Sequence, residues 1–277
     1  MSSPRSANST GNTASRWFSR GVSWLGPPLL LFVFVVGVWF AVTHLREIPK
    51  YLLPRPEHVL EAAWKQRTML AGALWLTTLE SLCGFGLSLA LGVVIAFAFS
   101  QSIFIRRSCY PYAIFLQTVP IVAIAPLIIT WFGNGFQSIL LVSIILSLFP
   151  IITNTTTGLI SVDANLVNLF RLYNASRWQI LLKLRFPHAL PYLITGAKIS
   201  SGLSVIGAIV GEFLVGYSST EIGLGYLILQ SSTQLKTAQL FAAVIASAVL
   251  GIAIFGTVNI IGNRIVSHWT DTPSDSA

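Results

Sequence analysis

Glu80 and Glu212 are the two acids that fall within the long apolar stretches of this chain. A carboxylate at the middle of a bilayer costs about 2.5 kcal/mol or more and is normally there for function. Glu212 lies 21 residues beyond Pro191. A helix rising about 1.5 Å per residue carries it about 31 Å along, close to the far interface of a bilayer. Its setting in "GEFLVG" points to a gate or docking role, with a solvated helix end as the rival. Glu80 is expected to be interfacial or structural.

Gln117, Thr118, Pro120 and Pro126 form a second group. Proline frees backbone carbonyls, so polar side chains beside them could make weak, transient contacts with a solute. Packing between helices is the rival reading. The four histidines, His44, His58, His188 and His268, are scattered, with no metal-ligand spacing and no partner for a nucleophile. No metal site is expected, and a membrane enzyme is a distant alternative. The chain has no G-x-x-x-x-G-K-[ST] phosphate loop, so no ATP site of that kind.

The third group is basic. "SRWQILLKLRFPHALP", residues 176–191, holds Arg177, Lys183, Arg185 and His188 in the middle of a chain that is 54% apolar and only 9% charged. Soluble domains carry roughly 25% charged residues. Residues 27–45, 81–105, 108–162 and 237–263 contain no Asp, Glu, Lys or Arg, and about 20 apolar residues suffice for a span. The chain is all-α and crosses a membrane several times.

The net charge of +8 could suggest nucleic acid, but the basic residues cluster at the ends of spans, as the positive-inside rule requires. Such clusters also face anionic lipid head groups. Nucleic acid is excluded as a partner. Cys83 and Cys109 fall in or beside spans and are read as small apolar residues.

Six spans are expected: residues 26–45, 74–100, 110–132, 137–158, 191–214 and 237–262. Gly133-Asn134-Gly135 divides the third from the fourth, and a short surface helix follows Pro56. The stretch between the fifth and sixth spans is long enough for a further short helix. Pro120, Pro126 and Pro150 place their helices against protein or a water-filled path, where freed backbone groups can be satisfied. Gly207 and Gly211, like Ala243, Ser247 and Gly251, have the spacing of close helix contact, expected within the chain. An inward N-terminus puts eleven basic residues inside and six outside, so both termini are expected in the cytoplasm. The organisation is a leader, 1–25, a six-helix domain, 26–265, with a cytoplasmic loop at about 160–190, and a tail, 266–277.

That loop reads as two short helices meeting at a corner. Asp163 can cap the first, whose apolar positions are Leu166, Leu169, Phe170 and Tyr173. Asn174, tolerant of a left-handed backbone, makes the turn. Ser176 and Gln179 form a capping box for the second, and Pro187 is expected to end it. Each piece has an apolar stripe, which could lie on lipid or in a groove of another protein.

"LFRLYNASRWQILLKLRFPHALP" resembles the cytoplasmic loop of binding-protein-dependent ABC importer permeases, E-A-A-x(3)-G-x(9)-I-x-L-P. Asn168 stands where that pattern has Glu, Leu169 and Phe170 replace its alanines, and Asn174 replaces its Gly. "QTVPIVAIAPLIITWFGNG" and "VGEFLVG" with "GLGYLI" are similar to the subgroup importing nitrate, sulfonates, taurine, bicarbonate and thiamine-related compounds. The resemblance runs from about residue 26 to 265.

It implies the six-helix fold of type I ABC importer permeases in the bacterial inner membrane. Two permease subunits, expected as a homodimer, would form the pathway, with two cytoplasmic ABC ATPases carrying ATP and Mg and a periplasmic or lipid-anchored protein delivering solute. This chain would bind no cofactor. Contact with the ATPase would involve Asn168, Arg171, Leu172, Asn174, Ala175, Ser176, Arg177, Trp178, Gln179, Pro187 and Pro191. The solute would be a small nitrate-, sulfonate-, taurine- or bicarbonate-like molecule; a thiamine precursor or riboflavin is the alternative, and an ion channel a remote one.

Overall fold

A computed structural model describes residues 13–46, 48–215 and 222–267, with side chains from residue 26 onward apart from Pro28. Residues 1–12 of the expected leader and 268–277 of the expected tail lie outside the described residues. The described chain is helical and contains no strand. Its helices are α1 (Thr13–Leu45), α2 (Pro56–Lys65), α3 (Arg67–Gln101), α4 (Ile103–Thr118), α5 (Ile121–Phe132), α6 (Phe136–Ile160), α7 (Ala164–Leu172), α8 (Arg177–Ile180), α9 (Phe186–Val215), α10 (Leu224–Thr233) and α11 (Thr237–Ser267). A π-helical turn, Leu181–Arg185, joins α8 to α9.

Four helices are long and apolar enough to cross a membrane: α3, α6, the continuous run Arg177–Val215, and α11. The first expected span lies in α1, whose described apolar part is Leu29–Leu45. The third is divided into two helices, α4 and α5, bent by 98° to one another, the geometry of a broken span or a re-entrant loop. Its break falls at Pro120, which lies inside the helix expected over residues 110–132. A proline drives the preceding residue out of the helical region, and Val119 is extended, at φ −68° and ψ 125°.

Pro187 differs in the opposite sense. It was expected to end the second loop helix, yet the helix passes through it and Pro191 into α9. The π turn lies immediately before it, with the Phe186 amide donating to the Leu181 carbonyl five residues back. Such a widened turn takes up an irregularity without ending the helix.

Small residues build the centre. α3, α6 and α9 pack together, and the buried positions of α3 include Thr77, Ser81, Gly84, Ser88, Gly92 and Ala96. Without an apolar driving force between helices in lipid, close backbone approach and interhelical hydrogen bonds hold them. The Ser143 hydroxyl donates to the Ser204 carbonyl at 3.0 Å and that of Ser200 to the Ser147 carbonyl at 2.6 Å. Gly207 and Gly211 lie against Ser143 and Ile139 of α6, so this spacing serves packing within the chain. Ala243 and Leu250 of α11 share a buried cluster with Val205, Leu224 and Leu227. Pro150 is buried in α6, where Asn154 donates its amide to the Pro150 carbonyl at 2.8 Å. Lys198 donates to Asn263 of α11 at 2.7 Å. Outside the bundle, α2 begins with Pro56 in its first turn, and Lys65 draws the exposed Glu61 carboxyl below its ordinary value through a 2.7 Å ion pair.

Candidate functional site

The 160–190 segment forms the expected elbow. Asp163 accepts from the Asn165 amide at 2.8 Å and caps α7. α7 ends on Tyr173, and Asn174 follows with φ +53°. The Asn174 amide donates to the Arg171 carbonyl at 2.9 Å and the Ala175 amide to the Phe170 carbonyl at 3.0 Å. These paired bonds are the Schellman closure of a helix. Ser176 then opens α8 with both halves of a capping box: the Gln179 backbone amide donates to the Ser176 hydroxyl, and the Ser176 backbone amide donates to the Gln179 side-chain oxygen Oε1. Three local devices therefore fix the corner without help from distant residues.

The two faces of the elbow differ. Val167, Ile180 and Leu181 are buried. Leu181 joins Ala96, Leu159 and Ala189 in a cluster with Phe97 and Phe186, whose rings meet edge to face at 5.6 Å. Arg185 donates to the Ser100 carbonyl at the end of α3, at 2.9 Å. Outward stand Leu172, Tyr173 and Trp178, 79%, 80% and 67% exposed. Asn168, Arg171, Asn174, Ser176, Arg177 and Gln179 are exposed with them, and Ala175 is half-buried. Large apolar side chains at the tip of a rigid support suit a groove on another protein. Pro187 and Pro191 lie behind this surface, inside the helix that continues from α8.

The expected pathway residues do not all come together. Gln117, Thr118, Pro120 and Pro126 are exposed around the α4–α5 break. Glu212 is 2% exposed and is engaged elsewhere, which removes the solvated-end reading. Its carboxylate accepts from the Thr77 hydroxyl and from the Gly225 amide, each at 2.5 Å. The Leu224 amide donates to the Thr77 oxygen at 3.0 Å. Two orphan amides at the start of α10 are thus capped from α9 and α3.

Glu80, 1% exposed, hydrogen-bonds to Glu212 as well. A side chain at Gly223 would overlap the Glu212 carboxyl, and one at Gly225 the Ile209 carbonyl; this close approach accounts for the Gly-Leu-Gly spacing. Thr77 and Glu80, three apart on α3, were not linked to Glu212 by sequence reading. Their helical spacing was the available signal for the pair, but nothing local indicates a partner on α9.

Glu212→Ala is expected to lower stability by about 1–3 kcal/mol by leaving the Gly225 amide unsatisfied, read as thermal unfolding of the purified protein in detergent. Glu212→Gln keeps an acceptor and should lose clearly less. Equal losses would refute the capping role.

The sequence model of the family described as "Binding-protein-dependent transport system inner membrane component" matches residues 88–267. The formylaminopyrimidine transport permease protein ThiX of Halalkalibacterium halodurans is 32% identical over 248 residues, 87% of this chain and 95% of that protein. The riboflavin transport system permease protein RibX of Chloroflexus aurantiacus is 31% identical over 249 residues, 88% and 90% of the two chains. A putative aliphatic sulfonates transport permease protein, SsuC, of Bacillus subtilis is 30% identical over 230 residues, 80% of each. Among solved structures, an inward-facing conformation of the MetNI methionine ABC transporter superposes with a TM-score of 0.62 at 18% identity, covering 74% of this chain and 98% of that one.

Proposed function

The chain belongs to the binding-protein-dependent transport system inner membrane component family, and from that premise we propose how it acts within an ABC importer. It is the membrane permease subunit. The elbow is the handle on which a separate cytoplasmic ATPase acts, since the chain has no phosphate loop of its own. The observation that carries this is the apolar tip, Leu172, Tyr173 and Trp178, exposed on a corner that is capped on both sides. Two copies of the chain, two ATPases and a binding protein that delivers solute complete the importer. Both termini and the elbow face the cytoplasm, in accord with eleven basic residues on that side against six on the other.

ATP-driven closure of the ATPases moves the elbow and, through it, α6 and α9, which flank it in the chain. The exposed residues at the α4–α5 break, Gln117, Thr118, Pro120 and Pro126, line the pathway. Glu212 holds α10 at the opposite end of α9 and acts as part of an outer gate. The solute is a small molecule of the sulfonate, nitrate, taurine or bicarbonate kind. A thiamine precursor or riboflavin is the alternative, supported by the names of two relatives at 32% and 31% identity.

Uptake into proteoliposomes holding the chain, its ATPase and its binding protein should require ATP and both partners; flux without them would make it a channel. Tyr173→Cys, in a background lacking Cys83 and Cys109, should react with an impermeant maleimide only in inside-out vesicles. Reaction only in right-side-out vesicles would overturn the orientation and the coupling role together.

A further inference from the structure

A cavity of about 410 Å³ opens behind the elbow, lined by Ser100, Gln101, Arg171, Arg177, Ile180 and Arg185 among others. Its charge is one-sided. Three arginines line it, and no acidic side chain among the described residues does. Asp163, the one acid between Glu80 and Glu212, is engaged as the cap of α7. The three ion pairs found among the described residues involve none of these arginines. Arg171 lies close enough to Arg185 for their charges to repel.

Arg185 also carries a buried donor that is left unpaired. One terminal nitrogen donates to the Ser100 carbonyl, while its buried Nε–H has no partner among the described residues. A buried unsatisfied donor costs about 1–3 kcal/mol, and gathering like charges adds to that cost. One anion answers both. The position is informative too: Ser100 and Gln101 end α3, and the uncharged stretch 81–105 closes just beyond them at Arg106. The cavity therefore sits at the level where an apolar span meets lipid head groups. Planar guanidinium groups match phosphate oxygens in paired hydrogen bonds, and basic pockets between spanning helices suit phosphate-bearing head groups.

We propose that this cavity binds a phosphate group, carried by the head group of an anionic phospholipid or supplied as free inorganic phosphate, and that it ties α3 to α7 and α8. The anion bridges the end of α3 to both arms of the elbow, so its presence stiffens the corner from behind while Leu172, Tyr173 and Trp178 stay available in front. The inference shares Arg171 and Arg177 with the coupling reading but does not depend on it, because binding needs no ATPase.

The test is native mass spectrometry of the purified full chain in detergent, titrated separately with phosphatidylglycerol, phosphatidylcholine and inorganic phosphate. Wild type and Arg107→Gln, a basic control outside the cavity, should hold one anionic ligand. Arg185→Gln should weaken it roughly tenfold or more, the factor for one lost charge-assisted hydrogen bond. Arg177→Gln, on the exposed rim, should weaken it without touching the Ser100 contact, which keeps the test sound if Arg185→Gln fails to fold. Preference for phosphatidylglycerol over phosphatidylcholine identifies a lipid head group; binding of inorganic phosphate with the same arginine dependence identifies a soluble ion. The proposal is overturned if neither anion binds above phosphatidylcholine, or if Arg107→Gln loses as much as Arg185→Gln. It is also overturned if the arginines are shielded from phenylglyoxal by the ATPase alone and by neither anion. Uptake and orientation are measured separately, so either reading can fail without the other.

Discussion

Gly207→Leu should prevent the membrane-embedded centre from assembling. A Cβ at this position would stand 2.6 Å from the Ser143 Cα, 3.2 Å from its amide nitrogen and 3.3 Å from the Val142 carbonyl oxygen. All three are backbone atoms, so no flexible side chain can swing aside. Overpacking a core costs about 1–3 kcal/mol where side chains adjust. Here α6 and α9 would have to part, stretching the Ser143–Ser204 and Ser200–Ser147 bonds between them. A loss of about 3 kcal/mol or more is expected. It would appear as a lowered unfolding temperature in detergent and a poor yield of monodisperse protein. Gly202→Leu is the control, because its position on the same helix opens onto free space. Gly207→Leu unfolding at the wild-type temperature would contradict this account of the core.

Asn174→Pro should uncouple transport. Proline fixes φ near −65°, whereas Asn174 sits at +53°, and substitution also removes the amide that donates to the Arg171 carbonyl. The Schellman closure of α7 would open and α7 would lose its fixed angle to α8. ATP-driven uptake in proteoliposomes should fall at least about tenfold, the factor that 1.4 kcal/mol represents, with insertion unchanged. Asn174→Gly is the companion variant. Glycine adopts positive φ without strain, so uptake should stay near wild type. Loss of uptake in both variants would assign the effect to the asparagine side chain, not to the backbone turn.

The elbow is legible in the sequence because its signals are local. Asp163 and the Ser176–Gln179 pair act within three residues of themselves, and Asn174 needs only its own backbone freedom. Prolines were harder, and they erred in both directions. Pro120 breaks a span that was drawn as one helix, because Val119 becomes extended and nothing restores the turn. Pro187 leaves a helix intact that it was expected to end, because a π turn widens the backbone just before it. The residue type is the same in both cases; the geometry of its neighbours decides.

The buried carboxyl pair shows a different obstacle. Glu212 was singled out as an acid near a helix end, but its burial depends on Thr77, Glu80 and the start of α10. Those groups are separated from it by over a hundred residues or by a connecting stretch with no periodic pattern. A single sequence contains the members of such a cluster without their meeting.

The continuity from Arg177 to Val215 has a mechanical consequence. Thirty-nine residues in one continuous helical run, its π turn included, make a strut about 58 Å long, reaching from the basic corner to the depth where Glu212 fastens α10. Tilting it by about 10° would sweep one end roughly 10 Å relative to the other. A nudge delivered at Arg177 would then be felt at the Gly223–Gly225 seat with no relay of side chains between them.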